Sequence, residues 1–186
     1  MDEGTCAFAR YLAGEEAAFE VLVRLYRTRL IYFCNQYVHN LALAEEVAED
    51  VFVALLLHPE RYRTGTSMTA YLFGIARHLS IKAYHKHRRH LPLEDEVLPD
   101  EAYTDLAEQM QQRQDACALY AALETLPEQY RTALRLTALE GMSNSEAAAA
   151  MGKSNRQIEN LVYRAKAALR RALEERTGIP PRKENV

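Results

Sequence analysis

Apolar residues recur three and four positions apart along most of the chain, the spacing that places them on one face of an α-helix. One long segment carries Phe19, Leu22, Tyr26, Leu30 and Phe33 at this spacing. No run alternates apolar and polar residues with the period of two that is typical of a half-buried strand. The pattern predicts an all-α protein.

Residues that start or stop helices divide the N-terminal half into four helices. The first is predicted over residues 3–13, with Gly14 as its end, and the second carries the apolar face just described. We expect Asn40 to cap the third helix, which should end before His58 because a residue that precedes proline is pushed out of the helical region. A polar loop over residues 61–67 then leads into the fourth helix.

Residues 91–112 interrupt this pattern. The segment contains Pro92 and Pro99, seven acidic residues and no basic residue. Such a sequence cannot bury a helix face and is kept extended by repulsion between like charges, so it predicts an exposed acidic linker. The chain is thus predicted to form two small helical domains, residues 1–90 and 113–176, followed by a tail over 177–186.

Charge is distributed very unevenly along the sequence. The net charge is −3, yet residues 77–90 hold five Lys or Arg and no acid, and residues 153–171 hold six against the single Glu159. Because nucleic acids respond to local patches rather than to the total charge, the order basic, acidic, basic leaves room for two DNA-binding surfaces.

The second domain ends in a predicted helix-turn-helix, residues 143–173. Before it, a short helix over 115–124 is followed by another that has Pro127 in its first turn and closes at Gly141. Two capping boxes, residues 143–146 and 154–157, would each start a helix. Gly152 lies between them, where a left-handed residue ends one helix and turns into the next. The first helix is rich in alanine, which allows another helix to approach closely.

The second helix of this motif has two different faces. Ile158, Leu161, Val162, Ala165 and Leu169 repeat at the spacing of one buried face. The residues opposite and at the start of the helix are basic or carry amides, and this arginine, asparagine and glutamine set can pair with base edges while the remaining cations hold phosphates. The candidate upstream DNA-binding residues are Ser154, Asn155, Arg156, Gln157, Asn160, Tyr163 and Arg164. An ordinary helical hairpin with a solvated basic face is the alternative.

Other classes of protein find little support. The chain lacks a basic start followed by an apolar stretch and has no apolar run long enough to span a bilayer, so we expect a cytoplasmic protein without membrane insertion. It contains no P-loop and no nucleophile paired with a base, which argues against an enzyme that acts on nucleic acid. The four histidines of residues 78–90 lack the spacing of a metal site, and neither a metal nor a cofactor is predicted.

Several segments resemble bacterial RNA polymerase sigma factors of the extracytoplasmic-function (ECF) group. Residues 44–52, the loop 61–67, residues 71–78 and residues 87–89 resemble the second conserved region of these proteins. Residues 123–127, Arg131, residues 139–143 and residues 158–166 resemble their fourth region. The resemblance covers nearly the whole chain in the family's order.

The resemblance implies a non-catalytic initiation subunit that binds core RNA polymerase, recognises both promoter elements and helps to open the duplex. Its partners would be core polymerase and double-stranded and melted promoter DNA, and an anti-sigma factor is left open. In the family, the segment that matches residues 45–53 docks on a coiled-coil of the largest polymerase subunit. The residues that this match assigns to polymerase binding are Glu45, Glu46, Glu49, Asp50, Phe52 and Val53. A solvated acidic face is the alternative.

The loop 61–67 and the helix after it match the part that, in the family, captures unstacked bases of the downstream, minus-ten element. The residues assigned to this role are Arg63, Thr64, Thr66, Ser67, Tyr71, Arg77, Lys82, Arg88 and Arg89. Tyr71 stands where the family usually has tryptophan. The fourth-region match assigns the outward face of the last helix to the upstream, minus-thirty-five element, although Glu159 stands where the family often has a basic residue.

Two interpretations of the acidic linker remain: it enters a positively charged channel of the polymerase, as the resemblance implies, or it is a solvated tether. For the whole chain, the second hypothesis is a helix-turn-helix regulator that does not replace the polymerase's specificity subunit. The acidic third helix followed by a basic fourth helix disfavours that regulator, which has no evident need for either.

Overall fold

The computed structural model describes residues 3–63, 65–88 and 119–177. Helices are the only regular secondary structure in these ranges, so the all-α prediction is confirmed for them. The acidic linker lies outside the described residues, and the domain limits proposed from the sequence stay a prediction. None of the described helices is long and apolar enough to cross a membrane.

The first and third helices begin and end close to the positions that the sequence predicts, and the second contains the predicted apolar segment. They are α1 (Glu3–Leu12), α2 (Ala17–Val38) and α3 (Leu41–Leu57). Asn40 caps α3 as expected, because its Oδ1 accepts a hydrogen bond of 2.9 Å from the backbone N–H of Leu43. His39, just before it, has a left-handed backbone with φ of 50°, which turns the chain sharply between α2 and α3.

A short 3-10 helix, Pro59–Arg61, and a turn connect α3 to the basic helix α4 (Met68–Arg88). Gly65 lies in this turn with φ of +99°, a conformation that L side chains rarely adopt.

Helices α1 to α4 pack around an aromatic and aliphatic core. Phe8, Leu22, Phe33, Leu55 and Phe73 are completely buried in it. The rings of Phe33 and Phe73 meet edge to face with their centroids 4.9 Å apart, so α2 is fixed against α4 at this point. Each such side chain contributes about 1.5–3 kcal/mol through burial.

Helix α7 (Asn144–Met151) packs on the same group of helices. The described residues form two compact units, residues 3–88 with 142–155, and residues 119–141 with 156–177. In the first unit a Cβ built on Gly74 of α4 would lie 3.5 Å from the Cα of Ala150 in α7. The expectation that alanines let another helix approach closely is therefore confirmed, and the neighbour is α4.

The second unit contains three helices: the described end of α5 (residues 119–124), α6 (Glu128–Leu134) and α8 (Asn155–Thr177). Its core is formed by buried Leu126, Leu134 and Ala165. The prediction that Pro127 lies in the first turn of α6 is wrong. Pro127 precedes that turn as the N-cap residue, with an extended ψ of 141°.

The end of α6 and the start of α7 are fixed by local backbone geometry. After α6 the chain widens into a π-helical turn, Arg135–Leu139, and then passes through Gly141 with φ of +67°. Ser143 and Glu146 form the predicted capping box, in which the Ser143 N–H donates to the Glu146 carboxylate at 2.8 Å. Gly152 ends α7 in the left-handed conformation (φ 62°, ψ 40°), as the sequence predicts.

Candidate nucleic-acid and polymerase interfaces

Helix α8 buries one side and exposes the other. Ile158 and Ala165 are completely buried, whereas Tyr163 is 78% exposed, although it is the largest side chain on the helix. The remaining residues of the predicted outward set that lie in α8 are also exposed: Asn155, Arg156, Gln157, Asn160 and Arg164. Ser154, immediately before the helix, is exposed too. The residues proposed for the upstream element thus lie at the solvent side of one continuous helix.

The exposed side of α8 has the chemistry that duplex DNA requires. Arg156 and Gln157 lie in the first turn, where the helix dipole favours a nearby phosphate, and Asn160 follows one turn later. Guanidinium and amide groups can each pair with two atoms of one base in the major groove. Glu159 is exposed among them. Its carboxylate could accept a hydrogen bond from cytosine, a pairing that would add sequence preference.

The loop before α4 is held in place by Tyr62. Its hydroxyl donates to the backbone carbonyl of Thr66 at 2.6 Å and lies 3.0 Å from the Thr5 hydroxyl of α1. Its ring contacts Phe8 edge to face with the centroids 5.5 Å apart. Because one side chain contacts α1 and spans the turn, the loop keeps a defined shape without regular secondary structure.

Tyr71 lies one helical turn into α4, beside this loop. It is half-buried, and its ring meets that of Tyr62 edge to face at 5.4 Å. Burial raises the pKa of the Tyr71 hydroxyl above its usual value of 10, and the nearby positive charge of Arg61 opposes this only in part. The phenol therefore stays neutral at physiological pH, so it can donate a hydrogen bond and offers an uncharged ring to a base.

The other residues proposed for the downstream element surround the loop and follow α4. Arg63 is exposed, Thr66 and Ser67 are half-buried, and Ser67 Oγ accepts a hydrogen bond of 3.4 Å from the backbone N–H of Ala70. Lys82 is exposed further along the helix. Thr64, Arg89 and the side chain of Arg88 lie outside the described residues.

Arg77 occupies a distinctive position in α4. It is half-buried, and its Nε atom has no hydrogen-bond partner among the residues that the structure describes. Arg77 and Tyr71 line a groove of about 620 Å³, together with Arg61 and Thr66 from the loop side. A guanidinium and a neutral phenol in one groove can hold a phosphate and a base edge at the same time.

Helix α3 presents an acidic and apolar face. Glu45, Glu46, Glu49 and Asp50 are exposed, and Val53 is 48% exposed beside them. Phe52 differs from the rest of the predicted polymerase-binding set, because it is only 6% exposed and packs edge to face on Phe19. We therefore leave Phe52 out of the docking face. Three leucines that the sequence did not single out are exposed on the same helix: Leu41, Leu56 and Leu57.

Comparison with known proteins identifies the family. The model of Sigma-70 region 2 matches residues 22–90, and the model of Sigma-70 region 4 matches residues 118–169. The sigma factor CarQ of Myxococcus xanthus is 30% identical over 170 residues, which are 89% of this chain and 95% of CarQ. The chain is an ECF sigma factor. Proteins of this family are dissociable specificity subunits that direct promoter-specific initiation by core RNA polymerase.

Two further comparisons agree with this assignment. The ECF sigma factor SigD of Mycobacterium tuberculosis is 29% identical over 164 residues, 84% of this sigma factor and 77% of SigD. The fold is similar to that of the sigma factor RpoE from Bartonella quintana, solved in complex with the anti-sigma factor NepR, with a TM-score of 0.66 and 23% identity over 84% of this chain and 96% of that one. All-α architecture is thus shared with a solved sigma factor.

Sequence reasoning missed two parts of this sigma factor's candidate sites. Tyr62 was not among the predicted site residues, because the neighbouring sequence does not distinguish it from any solvent-exposed aromatic residue in a polar loop. Its role depends on contacts with Thr5 and Phe8, more than 50 residues away. The contact between α4 and α7 was not foreseen either. The signals that could have suggested it are Gly74 in the middle of a helix, where glycine is otherwise unfavourable, and the alanines of α7.

Proposed function

We propose that this sigma factor divides initiation among three surfaces. The exposed acidic and apolar face of α3 binds core RNA polymerase, the outward side of α8 reads the upstream element, and the loop 61–67 with α4 captures and holds the melted downstream element. The observation that carries the proposal is that one chain exposes both the acidic and apolar residues of α3 and the basic, amide-rich side of α8.

The α3 face, which we define as Glu45, Glu49, Val53 and Leu57, suits a basic helical partner. These four residues are spaced by four along the helix and are all exposed, so two carboxylates continue into an apolar end in a single line. Leu57 is 68% exposed, and covering it would release apolar surface from water. The carboxylates would steer a positively charged coiled-coil, and the apolar end would add affinity.

Charge reversal tests this docking. We expect Glu45→Lys combined with Glu49→Lys to weaken binding to core polymerase by about tenfold or more, equivalent to roughly 1.4 kcal/mol, with a smaller defect at high salt. The matched control is Glu16→Lys with Glu20→Lys, which also reverses two exposed charges four residues apart, at the start of α2. Equal weakening by both pairs would show that net charge, and not the α3 face, governs binding.

The downstream surface combines an ordered loop with cations. Flipping a base out of the stack costs a few kcal/mol, so the receiving surface has to be formed in advance. Tyr62 fixes the loop, Tyr71 supplies a neutral aromatic edge, and Arg77 supplies a guanidinium whose Nε lacks a described partner. Lys82 lies where it can hold the phosphate backbone that follows.

Run-off transcription tests the function as a whole. The purified chain, added to core polymerase on promoter fragments from its own genome, should produce transcripts with a defined start that core alone does not produce. A regulator that binds DNA without replacing the specificity subunit would bind the fragments but would need another sigma factor to start transcription. Omitting and adding a housekeeping sigma factor therefore separates the two hypotheses.

We also propose that the chain acts in the cytoplasm as a non-catalytic subunit and is held inactive by an anti-sigma factor. The support is the apolar part of the α3 face and the similarity to RpoE, whose solved structure contains its anti-sigma factor. A protein that co-purifies with the chain and competes with core polymerase would be such a factor. Its binding should be weakened by Leu57→Asp, and unimpaired binding to that variant would place its site elsewhere.

A further inference from the structure

A second groove, of about 370 Å³, lies between α3 and α4. No described residue of the loop 61–67 lines it. Its apolar lining consists of buried Val47 and of half-buried Leu43, Leu79 and Ala83. Four exposed charged residues also line it: Glu46 and Asp50 from α3, and Lys82 and Lys86 from α4. The two helices thus give the groove one acidic side and one basic side.

The acids of α3 have two different surroundings. Glu45 and Glu49 belong to the α3 face, whereas Glu46 and Asp50 line the groove opposite the lysines of α4. Each pair is spaced by four residues, and the second line is turned by about 100° around the helix from the first. A single acidic segment therefore presents carboxylates both to a docking partner and to the basic helix of its own chain.

The opposite charges of the groove face each other without pairing. In the described part of the chain, no ion pair joins Glu46 or Asp50 to Lys82 or Lys86. Both lysines are exposed, so a phosphate can still reach their ammonium groups. Charges across a groove of this size are only partly screened at physiological salt, where the screening length is about 8 Å. The carboxylates therefore lower the positive potential beside the lysines without covering them.

This potential determines how strongly α4 attracts any nucleic acid. Lys86 follows Lys82 by one helical turn, so it extends the row of cations that we assign to the phosphate backbone. Attraction between cations and phosphates does not depend on sequence and supplies most of the binding to nucleic acid that lacks a specific site. Carboxylates beside the cations reduce that attraction and leave the base contacts around Tyr71 unchanged.

We infer that Glu46 and Asp50 weaken the hold of Lys82 and Lys86 on nucleic acid, so that the free sigma factor is not retained by strands without a promoter. The inference rests on the proposed role of α4 in holding melted DNA, and it adds Lys86 to that surface. The two carboxylates touch no base. They act by opposing the field of the lysines and by repelling phosphates.

Binding to oligothymidylate in the absence of polymerase tests the inference, because this probe carries phosphates but no promoter sequence. Glu46→Gln combined with Asp50→Asn should bind it several-fold more tightly than the unaltered chain, as measured by fluorescence anisotropy. The difference should shrink as salt rises from roughly 50 to 200 mM. The control is Glu16→Gln with Glu20→Gln, which changes the net charge equally at exposed positions that do not line the groove. Equal tightening by both pairs would overturn the inference.

The same measurement in a lysine-free background separates the groove from a general charge effect. Lys82→Gln combined with Lys86→Gln should weaken binding to oligothymidylate. Adding the Glu46 and Asp50 substitutions should then have little effect, because the strand is no longer held beside the groove. A gain as large as in the presence of the lysines would overturn the inference. Failure of the lysine substitutions to weaken binding would instead overturn the proposed role of α4, and the inference with it.

Run-off transcription gives the functional measurement. Each protein is mixed with increasing oligothymidylate before core polymerase is added, and its activity is expressed relative to its own activity without competitor. The Glu46 and Asp50 variant should lose half of its activity at a several-fold lower competitor concentration than the unaltered chain. The Glu16 and Glu20 variant should respond like the unaltered chain. Equal sensitivity of all three proteins would show that the acidic side of the groove does not protect the sigma factor from retention.

Discussion

The two DNA-facing surfaces are built in opposite ways. On α8 the proposed contact residues belong to one exposed helix side, and their positions follow from the helix alone. Around residues 61–67 the proposed contacts depend on tertiary structure, since Tyr62 ties the loop to α1 and Tyr71 is half-buried against it. Duplex reading thus uses a preformed regular element, whereas strand capture uses a shape that several helices must create.

The largest effect should come from the core that supports strand capture. Phe73 is completely buried and packs on Phe33, so Phe73→Ala should lower the free energy of unfolding by about 3–5 kcal/mol, as measured by urea denaturation. Tyr163→Ala is the matched control on α8, because it also removes an aromatic ring but from a side chain that is 78% exposed. Its cost to stability should stay within about 0.5 kcal/mol. Similar costs for both would contradict the contrast between the two surfaces.

Substitutions on α8 should change recognition and leave stability intact. Arg156→Ala and Asn160→Ala should each weaken binding to the upstream duplex element by roughly 1–3 kcal/mol, since each removes side-chain contacts to base edges. Fluorescence anisotropy on matched and scrambled duplexes measures this loss. An equal loss on every sequence would identify these residues as phosphate contacts, and a shifted unfolding midpoint would show that the exposed side has a structural role.

Removing a single hydroxyl from the loop should affect strand capture selectively. Tyr62→Phe deletes the hydrogen bonds to Thr66 and Thr5 but keeps the ring contacts, so it should cost about 0.5–1.5 kcal/mol of stability. Promoter opening, followed by permanganate reactivity of unpaired thymines, should decrease while binding to the upstream duplex is retained. Tyr32→Phe, which removes an exposed hydroxyl on α2, is the control. Loss of duplex binding in Tyr62→Phe would argue against a role confined to the loop.

The smallest effect should come from the ionisation of Tyr71. Burial raises the pKa of this phenol above its usual value of 10, so in the folded chain it ionises at a higher pH than a fully solvated tyrosine would. The unfolded chain loses this proton at a lower pH than the folded chain does. The stability that the neutral Tyr71 hydroxyl contributes is therefore complete below pH 10 and is lost as the pH rises beyond it. The difference between the alkaline absorbance titrations of the unaltered chain and of Tyr71→Phe isolates the ionisation of Tyr71. Ionisation of Tyr71 at the usual pKa of a solvated phenol, about 10, would mean that burial does not perturb it.

Local rules were sufficient for much of the fold. Asn40, the Ser143 and Glu146 pair, and Gly152 end or begin helices where the sequence predicts, because a cap requires only a few neighbouring atoms. The exposed side of α8 followed from helical periodicity for the same reason. Pro127 was misplaced by one position, an error typical of helix ends, where the geometry of a single residue decides the boundary.

Features that depend on distant residues could not be read from the sequence. Phe52 was grouped with the exposed acids of α3 but turns inward to Phe19, which only the packing of α2 determines. The π-helical turn at Arg135–Leu139 has no local sequence marker that we recognise. The docking of α7 on α4 joins residues more than 70 positions apart, and the alanines of α7 indicated close approach by a helix without identifying which one.

Tyr62 also affects how this protein can be cut and recombined. The region 2 match begins at residue 22, yet the loop inside it is held by Thr5 and Phe8 of α1. A chimaera that transplants only the matched residues into another sigma factor would carry every proposed base-capturing side chain and lose the brace that orients them. The modular unit for exchanging promoter specificity is therefore larger than the unit that sequence families delimit, and it starts at α1.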